Sequence, residues 1–219
     1  MVGLCREGFQ EQTASYGIGA SKSSTEGYAH HAQPMRVIGG TARGRRIQAP
    51  RGRRTRPTSD YLREVLFDLL TERVPESTFL DLYAGTGAVG IEALSRGAAK
   101  AVFVENDRPA LAMLRRNLEA IGFLDRGEVI PMDVLQFLRQ VPSGSRTFDL
   151  IFLDPPYERV EAPPALSLIA STALLAPNGT AILERSTRSD PIPTPEGLAC
   201  VREVRHGDSI LQLLRREEM

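Results

Sequence analysis

Tryptophan is absent from the 219 residues, cysteine occurs twice, histidine three times, and lysine only at Lys22 and Lys100. Cys5 and Cys200, with no Cys-x-x-Cys pair, suggest no disulfide framework. Together with His30, His31 and His206 they make no zinc-ligand spacing, so no metal is expected and a reducing, cytoplasmic setting fits. No apolar run reaches the roughly 18 residues that a membrane helix needs. No signal-peptide core opens the chain either, which sets membrane and export readings aside. A net charge of one sign is also lacking, since 27 basic residues balance 27 acidic ones.

That balance hides an asymmetry. With two lysines among 27 basic residues, the remaining 25 are arginine, and eight of them fall between Arg36 and Arg56 without a single acid. Arginine grips phosphate bidentately and stacks on bases, so Arg43, Arg45, Arg46, Arg51, Arg53, Arg54 and Arg56 are candidate nucleic-acid contacts. Val37, Ile38 and Ile47, among glycines at 39, 40, 44 and 52, predict a small hairpin followed by an extended arm over residues 35–57. The preceding residues, 1–34, are rich in Gly, Ser, Thr and Ala without apolar periodicity. They read as a disordered extension, with Met35 a candidate start.

Residues 58–219 read as one α/β domain, without internal repeats. A helix is expected from Thr58 or Ser59 to Thr71, its apolar face formed by Leu62, Val65, Leu66, Leu69 and Leu70. Phe79, Leu80 and Leu82 then form a short strand that runs into a glycine turn, and Ala88–Arg96 is amphipathic. Strands follow at Ala101–Val104, Val129–Pro131 and Phe148–Leu153, separated by helices at Pro109–Ile121 and Val134–Gln140. A helix over Pro164–Leu175, a turn at Asn178-Gly179 and a strand at Thr180–Leu183 come next. Leu198–Val204 and Ser209–Leu214, turning at Gly207, close the chain as an antiparallel pair. Such alternation predicts a mostly parallel, Rossmann-like sheet with helices on both faces and ligands at the carboxyl ends of its strands.

Four carboxylates, Asp81, Glu105, Asp133 and Asp154, sit at those ends and are expected to converge on one crevice. Gly85 and Gly87 allow the tight turn and close approach of a nucleotide-like ligand. The spacing Gly85-x-Gly87-x-x-Gly90 also satisfies the dinucleotide fingerprint. Asp81 argues against a pyrophosphate, which it would repel, and for the ammonium of a methionine moiety, hence S-adenosylmethionine. Glu105 suits ribose hydroxyls, and Asp133 suits an adenine amino group.

Asp154-Pro155-Pro156-Tyr157 follows the apolar run FDLIFL and is the most specific signal in the chain. An amino group on a base is a poor nucleophile because its lone pair is delocalised into the ring. It has to be held in line with the methyl carbon, with its hydrogens engaged. Asp154 can accept one hydrogen and the Pro155 carbonyl the other, Pro156 stiffens the backbone, and Tyr157 can stack on the base. Any base inside a helix would first have to be flipped out.

The segments MRVIGGTARGRRIQAP, RPTSDYLREVLFDLL, DLYAGTGAVGIEALSRGA and FDLIFLDPPY together resemble the bacterial 16S ribosomal RNA guanine-N2 methyltransferases of the ribosomal RNA small subunit methyltransferase D family. This resemblance covers Met35 to the C-terminus. It implies the class I S-adenosylmethionine-dependent methyltransferase fold, with a seven-stranded sheet, a closing antiparallel strand and a basic RNA-binding arm. It also implies methylation of the exocyclic N2 of one guanine in 16S RNA (position 966 in the resembled enzymes), with ribosomal proteins of a partly or fully assembled 30S subunit already bound. S-adenosylhomocysteine would be the product. The implied cofactor contacts are Asp81, Tyr83, Ala84, Gly85, Gly87, Glu105, Asn106, Asp133 and Asp154, and the implied catalytic set is Asp154 to Tyr157. Tyr83 stands where the family has phenylalanine. A monomer is expected.

Two other readings compete. An amino-methyltransferase acting on adenine N6 or cytosine N4 of DNA could use the same tetrapeptide, although the chain is short for a separate target-recognition domain. A non-catalytic RNA-binding protein would need only the arm, and an intact glycine loop and Asp154 argue against it.

Overall fold

The computed structural model describes residues 35–49, 60–142, 144–156 and 161–217. Within them the order is α1 (Asp60–Leu69), β1 (Thr78–Leu82), α2 (Ala88–Ser95), β2 (Lys100–Glu105), α3 (Arg108–Ile121), β3 (Gly127–Pro131), α4 (Val134–Gln140), β4 (Phe148–Leu153), α5 (Ala162–Ser171), β5 (Leu175–Ser186), β6 (Leu198–His206) and β7 (Ser209–Arg216). These strands form one seven-stranded sheet in the order β3-β2-β1-β4-β5-β7-β6. The first five run parallel, and β7 is antiparallel to both of its neighbours.

Strand residues point alternately to opposite faces, and each face here has its own apolar layer. Phe79, Ala101, Phe103, Leu150, Phe152 and Ile182 pack under α1, α2 and α3. Leu80, Leu82, Val102, Val104, Ile151 and Leu183 pack under α4 and α5. Burial on both faces explains why the parallel strands read as continuous apolar runs rather than as alternating ones. Asp81 shares its face with Phe79, and so points toward α2.

Several boundaries differ from the sequence expectation. Helix α5 ends at Ser171, not Leu175, because the hydroxyls of Ser171 and Thr172 bond back to the Leu168 carbonyl at 3.2 and 2.8 Å. Leu175 is already in the sheet, opposite Phe148. Asn178-Gly179 is therefore no turn ahead of a strand but a bulge within β5, since the next matched pair is Leu150 with Thr180. Strand β3 starts earlier than expected, at Gly127, and α1 is shorter, its expected caps Thr58 and Ser59 lying outside the described residues.

The expected hairpin is present between Met35 and Ile47. Arg36 bridges Arg46, the Val37 amide donates to the Arg45 carbonyl at 3.0 Å, and the Ile47 amide to the Met35 carbonyl at 2.8 Å. Its apolar side chains Met35, Val37, Ala42 and Ile47 are buried in the same layer as α1 and α2. Glu92, wholly buried on α2, accepts from the amides of Ile38 and Gly39, both at 2.7 Å, and from Arg96 Nε at 2.8 Å. Ser95 accepts from the Ala42 amide at 2.9 Å and donates to the Gly39 carbonyl at 2.5 Å. A Cβ on Gly40 would lie 1.8 Å from the Ser95 carbonyl oxygen, so only glycine permits this approach.

Replacing Glu92 by alanine leaves two part-buried amides and a partly exposed guanidinium without their acceptor. Glu92→Ala is expected to cost about 1–3 kcal/mol. Urea unfolding should show this as a lower midpoint at unchanged slope.

Candidate active site and cofactor crevice

Strand order reverses around β1: the chain builds outward through β2 and β3 on one side and through β4 and β5 on the other. The carboxyl ends of β1 and β4 therefore open a crevice, because the helices that follow them leave on opposite faces. The structure brings Asp81, the 83–87 turn, Glu105, Asp133 and the segment after β4 to this edge of the sheet.

Asp81 is the fourth of five residues in β1, inside the strand rather than beyond it. Its Oδ2 accepts from the Gly90 amide at 2.9 Å, supplying one of the acceptors that the first turn of α2 lacks. The side chain is almost fully buried. Burial, outweighing the Gly90 bond and reinforced by the nearby Glu105 charge, pushes its pKa up to about 7. A Cβ on Gly90 would meet the Phe103 ring at 2.3 Å and Asp81 Oδ2 at 3.1 Å, so glycine there is a packing requirement.

The turn that follows is held left-handed. Tyr83, Gly85 and Gly87 have φ of 61°, 55° and 82°. Gly87 has no room for a side chain, since a Cβ would lie 2.2 Å from Leu114. At Gly85 a Cβ would meet nothing within 4 Å, so the loop opens onto free space at that point. Tyr83 is a non-glycine residue in a conformation that costs on the order of 1 kcal/mol or more. Its hydroxyl is buried beside the Glu161 carboxylate, and burial first, then that carboxylate, raises its pKa above that of an ordinary phenol. Ala84 is buried, its amide donating to the Val104 carbonyl at 3.1 Å.

Glu105 closes β2, and both of its oxygens already hold backbone. Oε2 accepts from the Gly85 amide at 2.7 Å, and Oε1 from the amides of Asn106 and Asp107 at 2.8 Å. This carboxylate thus fixes the glycine turn as well as facing the crevice. Asn106 is exposed. Asp133 caps α4, accepting from the Gln136 amide at 2.9 Å.

Asp154 directly follows β4, with Pro155 and Pro156 after it, and all three line a cleft shared with the end of β5. Burial first, then the charges of Glu184 and Asp81, raise the Asp154 pKa well above the carboxylate norm. Tyr157 lies outside the described residues, as do Arg51, Arg53, Arg54 and Arg56. The described candidate arginines of the arm, Arg43, Arg45 and Arg46, are all exposed, and among the described residues Arg43 and Arg46 make no side-chain bond to the sheet or its helices. The Arg45 guanidinium instead donates to the carbonyls of Ile121 (2.8 Å) and Ala120 at the end of α3, where a cation also meets the negative end of the helix dipole.

Sequence reasoning missed Glu92, Ser95, Asn117 and Glu184. Asn117, buried on α3, accepts from the Gln48 amide at 2.8 Å and donates to the Thr86 carbonyl at 2.9 Å, tying the hairpin's exit to the glycine turn. A lone polar residue on the apolar side of a predicted helix was the available signal. Among the described residues no cluster of His, Cys, Asp or Glu is arranged to hold a metal ion, and no helix is long and apolar enough to cross a membrane.

Asp81, Glu105 and Asp133 come at or just past the carboxyl ends of the neighbouring strands β1, β2 and β3, and the loop is open at Gly85. All three acids are acceptors in their ionised form, and a pyrophosphate would find no cation among them.

The family model described as Conserved hypothetical protein 95 matches residues 35–215. Ribosomal RNA small subunit methyltransferase D of Haemophilus influenzae is 36% identical over 170 residues, covering 77% of this chain and 87% of that protein. Its namesake in Escherichia coli K12 is 32% identical over 183 residues, 84% of this chain and 90% of that one. The solved structure of the Escherichia coli protein yhhF superposes with a TM-score of 0.75 at 31% identity, covering 84% of this chain and 99% of that chain.

Asp81 holds a proton in the folded state at pH values where an unfolded carboxyl has lost it. The unfolded chain then binds fewer protons, so stability falls as pH rises from about 4 and levels off above about 7. For Asp81 the loss is on the order of 4 kcal/mol. Asp81→Asn keeps an oxygen for the Gly90 amide, and its urea midpoint should fall less between pH 4 and 7 than that of the wild type.

Proposed function

The chain belongs to the ribosomal RNA small subunit methyltransferase D family, and on that footing we propose that it transfers a methyl group from S-adenosylmethionine to the exocyclic N2 of one guanine in 16S ribosomal RNA. Position 966 of that RNA is the proposed target. A partly or fully assembled 30S subunit is the proposed substrate particle, and the protein is proposed to act as a cytoplasmic monomer. The observation that carries this reading is the position of Asp154-Pro155-Pro156 directly after Leu153, which pairs with Leu82 at the end of β1, at the edge where the strand order reverses.

S-adenosylmethionine, when bound, supplies a methyl group already activated on a sulfonium and is released as S-adenosylhomocysteine. Asp81 would face the methionine ammonium, with Tyr83 to Gly87 shaping the loop around it. Glu105 and Asn106 would face the ribose, and Asp133 the adenine. Asp154 accepts one hydrogen of the guanine amino group and the Pro155 carbonyl the other, which turns the nitrogen lone pair toward the methyl carbon. Pro155 and Pro156 bring no backbone N–H that could compete for those acceptors. Once the nitrogen has formed its new bond it becomes acidic and loses a proton to Asp154 or to water. Tyr157 is proposed to stack on the flipped base.

The arm is proposed to bind RNA phosphates through Arg43, Arg46, Arg51, Arg53, Arg54 and Arg56. Arg45, also a candidate from sequence, has its guanidinium on the end of α3, and its loss is expected to lower stability as well as RNA affinity.

Labelled methyl transfer to unmodified 30S subunits, naked 16S RNA and duplex DNA, followed by nucleoside analysis, tests the reaction. The expected product is N2-methylguanosine in ribosomal RNA, with kcat reduced about 10²- to 10³-fold in Asp154→Ala. Methyladenine or methylcytosine in DNA would refute the reading. Replacing Arg43, Arg46, Arg53 and Arg54 with glutamine should weaken RNA binding and flatten the dependence of log affinity on log salt by about 0.7–0.9 for each phosphate no longer neutralised. An unchanged slope would refute the role given to the arm.

A further inference from the structure

Asp154 and the Pro155 carbonyl would engage the two hydrogens of an amino group, which does not distinguish the amino groups of guanine, adenine and cytosine. The distinction lies in the neighbouring ring nitrogen. Beside the guanine amino group, N1 carries a hydrogen. Beside the adenine amino group N1 is a bare acceptor, and beside that of cytosine so is N3. A second carboxylate next to Asp154 would attract the first edge and repel the other two.

Glu184 occupies that place. Leu153 and Leu183 are partners in the parallel ladder between β4 and β5, so the next residues, Asp154 and Glu184, lie side by side at its carboxyl end. Both line the same cleft as Ser209, whose hydroxyl donates to Glu184 Oε1 at 3.1 Å. This bond fixes the carboxylate from the β7 side, where Glu184 is paired with Leu211. The charge of Glu184 reaches Asp154, acting on it second only to burial. Arg185, the next residue, ion-pairs with Glu203 of β6 at 3.2 Å. No third metal-type ligand completes a cation site among the described residues.

We propose that Glu184 is the specificity residue of this site, selecting guanine by accepting its N1–H while Asp154 accepts from the adjoining amino group. The assignment rests on the guanine-N2 reading given above and deepens it, since the tetrapeptide alone leaves the choice of base open.

The test uses 30S subunits reconstituted with 16S RNA that carries either guanine or 2-aminopurine at the target position. 2-Aminopurine keeps the amino group at C2 but presents N1 as a bare acceptor. Wild-type protein is expected to show a kcat/KM for guanine roughly ten- to a hundredfold above that for 2-aminopurine. In Glu184→Gln the side-chain amide can donate to a bare N1, so guanine transfer falls and the ratio collapses toward one. Ser209→Ala, which loosens the carboxylate without altering its charge, should lower the ratio by a smaller factor and serves if the glutamine variant does not fold. Equal use of both bases by the wild type, or a ratio unchanged in both variants, overturns the assignment. Transfer to neither base overturns the guanine-N2 reaction itself, and the assignment with it.

Discussion

The carboxylate of Asp81, buried against the Gly90 amide, is the joint on which this molecule is hung. It lies inside the central parallel strand and reaches across to the first turn of α2, so strand and helix meet at a fixed angle with the glycine turn stretched between them. Glu105 reaches back from β2 to the Gly85 amide and braces the same turn from the next strand. Gly87 and Gly90 are packed so tightly against Leu114 and Phe103 that no other residue fits in the observed arrangement. The turn is thus shaped before any ligand arrives, and preorganisation of that kind lowers the ordering cost of binding.

Placing acids in this edge of the sheet has an electrostatic consequence. Asp81 and Asp154 are both desolvated, and each feels another carboxylate, Glu105 and Glu184 respectively. The apolar strands beneath them cannot supply counter-charge. A positively charged guest, or one rich in N–H and O–H donors, would relieve the repulsion between these carboxylates. That distribution of charge is the opposite of what a phosphate-binding glycine loop requires, and it sets this crevice apart from a dinucleotide site despite the shared glycine spacing.

Most of this architecture was legible in the sequence. The order of strands and helices followed from apolar runs punctuated by glycine and proline, and the acids that end those runs gather at the carboxyl edge of the sheet. What could not be read depends partly on local side-chain bonds and mostly on contacts between residues far apart in the chain. Leu174 and Leu175 continue the apolar pattern of α5, and only the hydroxyls of Ser171 and Thr172, bonded back to Leu168, show that the helix has ended. Glu92 sits in an ordinary amphipathic segment, yet its partners are amides 53 and 54 residues away. Arg45 belongs to a run of arginines that looks uniform, while its guanidinium rests on α3. Glu184 follows an apolar run as the other acids do, but its neighbourhood with Asp154 appears only once β4 and β5 are in register.

The root of the basic arm carries one more implication. Glu92, Ser95 and Asn117 stitch the hairpin and its exit to α2 and to the glycine turn, and Met35, Val37, Ala42 and Ile47 complete an apolar layer shared with the sheet. The hairpin is not a detachable module. Cutting it away would strip an acidic side chain of its donors inside the protein and uncover the roof of the central sheet, so a truncated chain would report on folding rather than on affinity for RNA. Grafting it onto another scaffold would fail for the complementary reason, because half of what shapes it is supplied by residues it would leave behind.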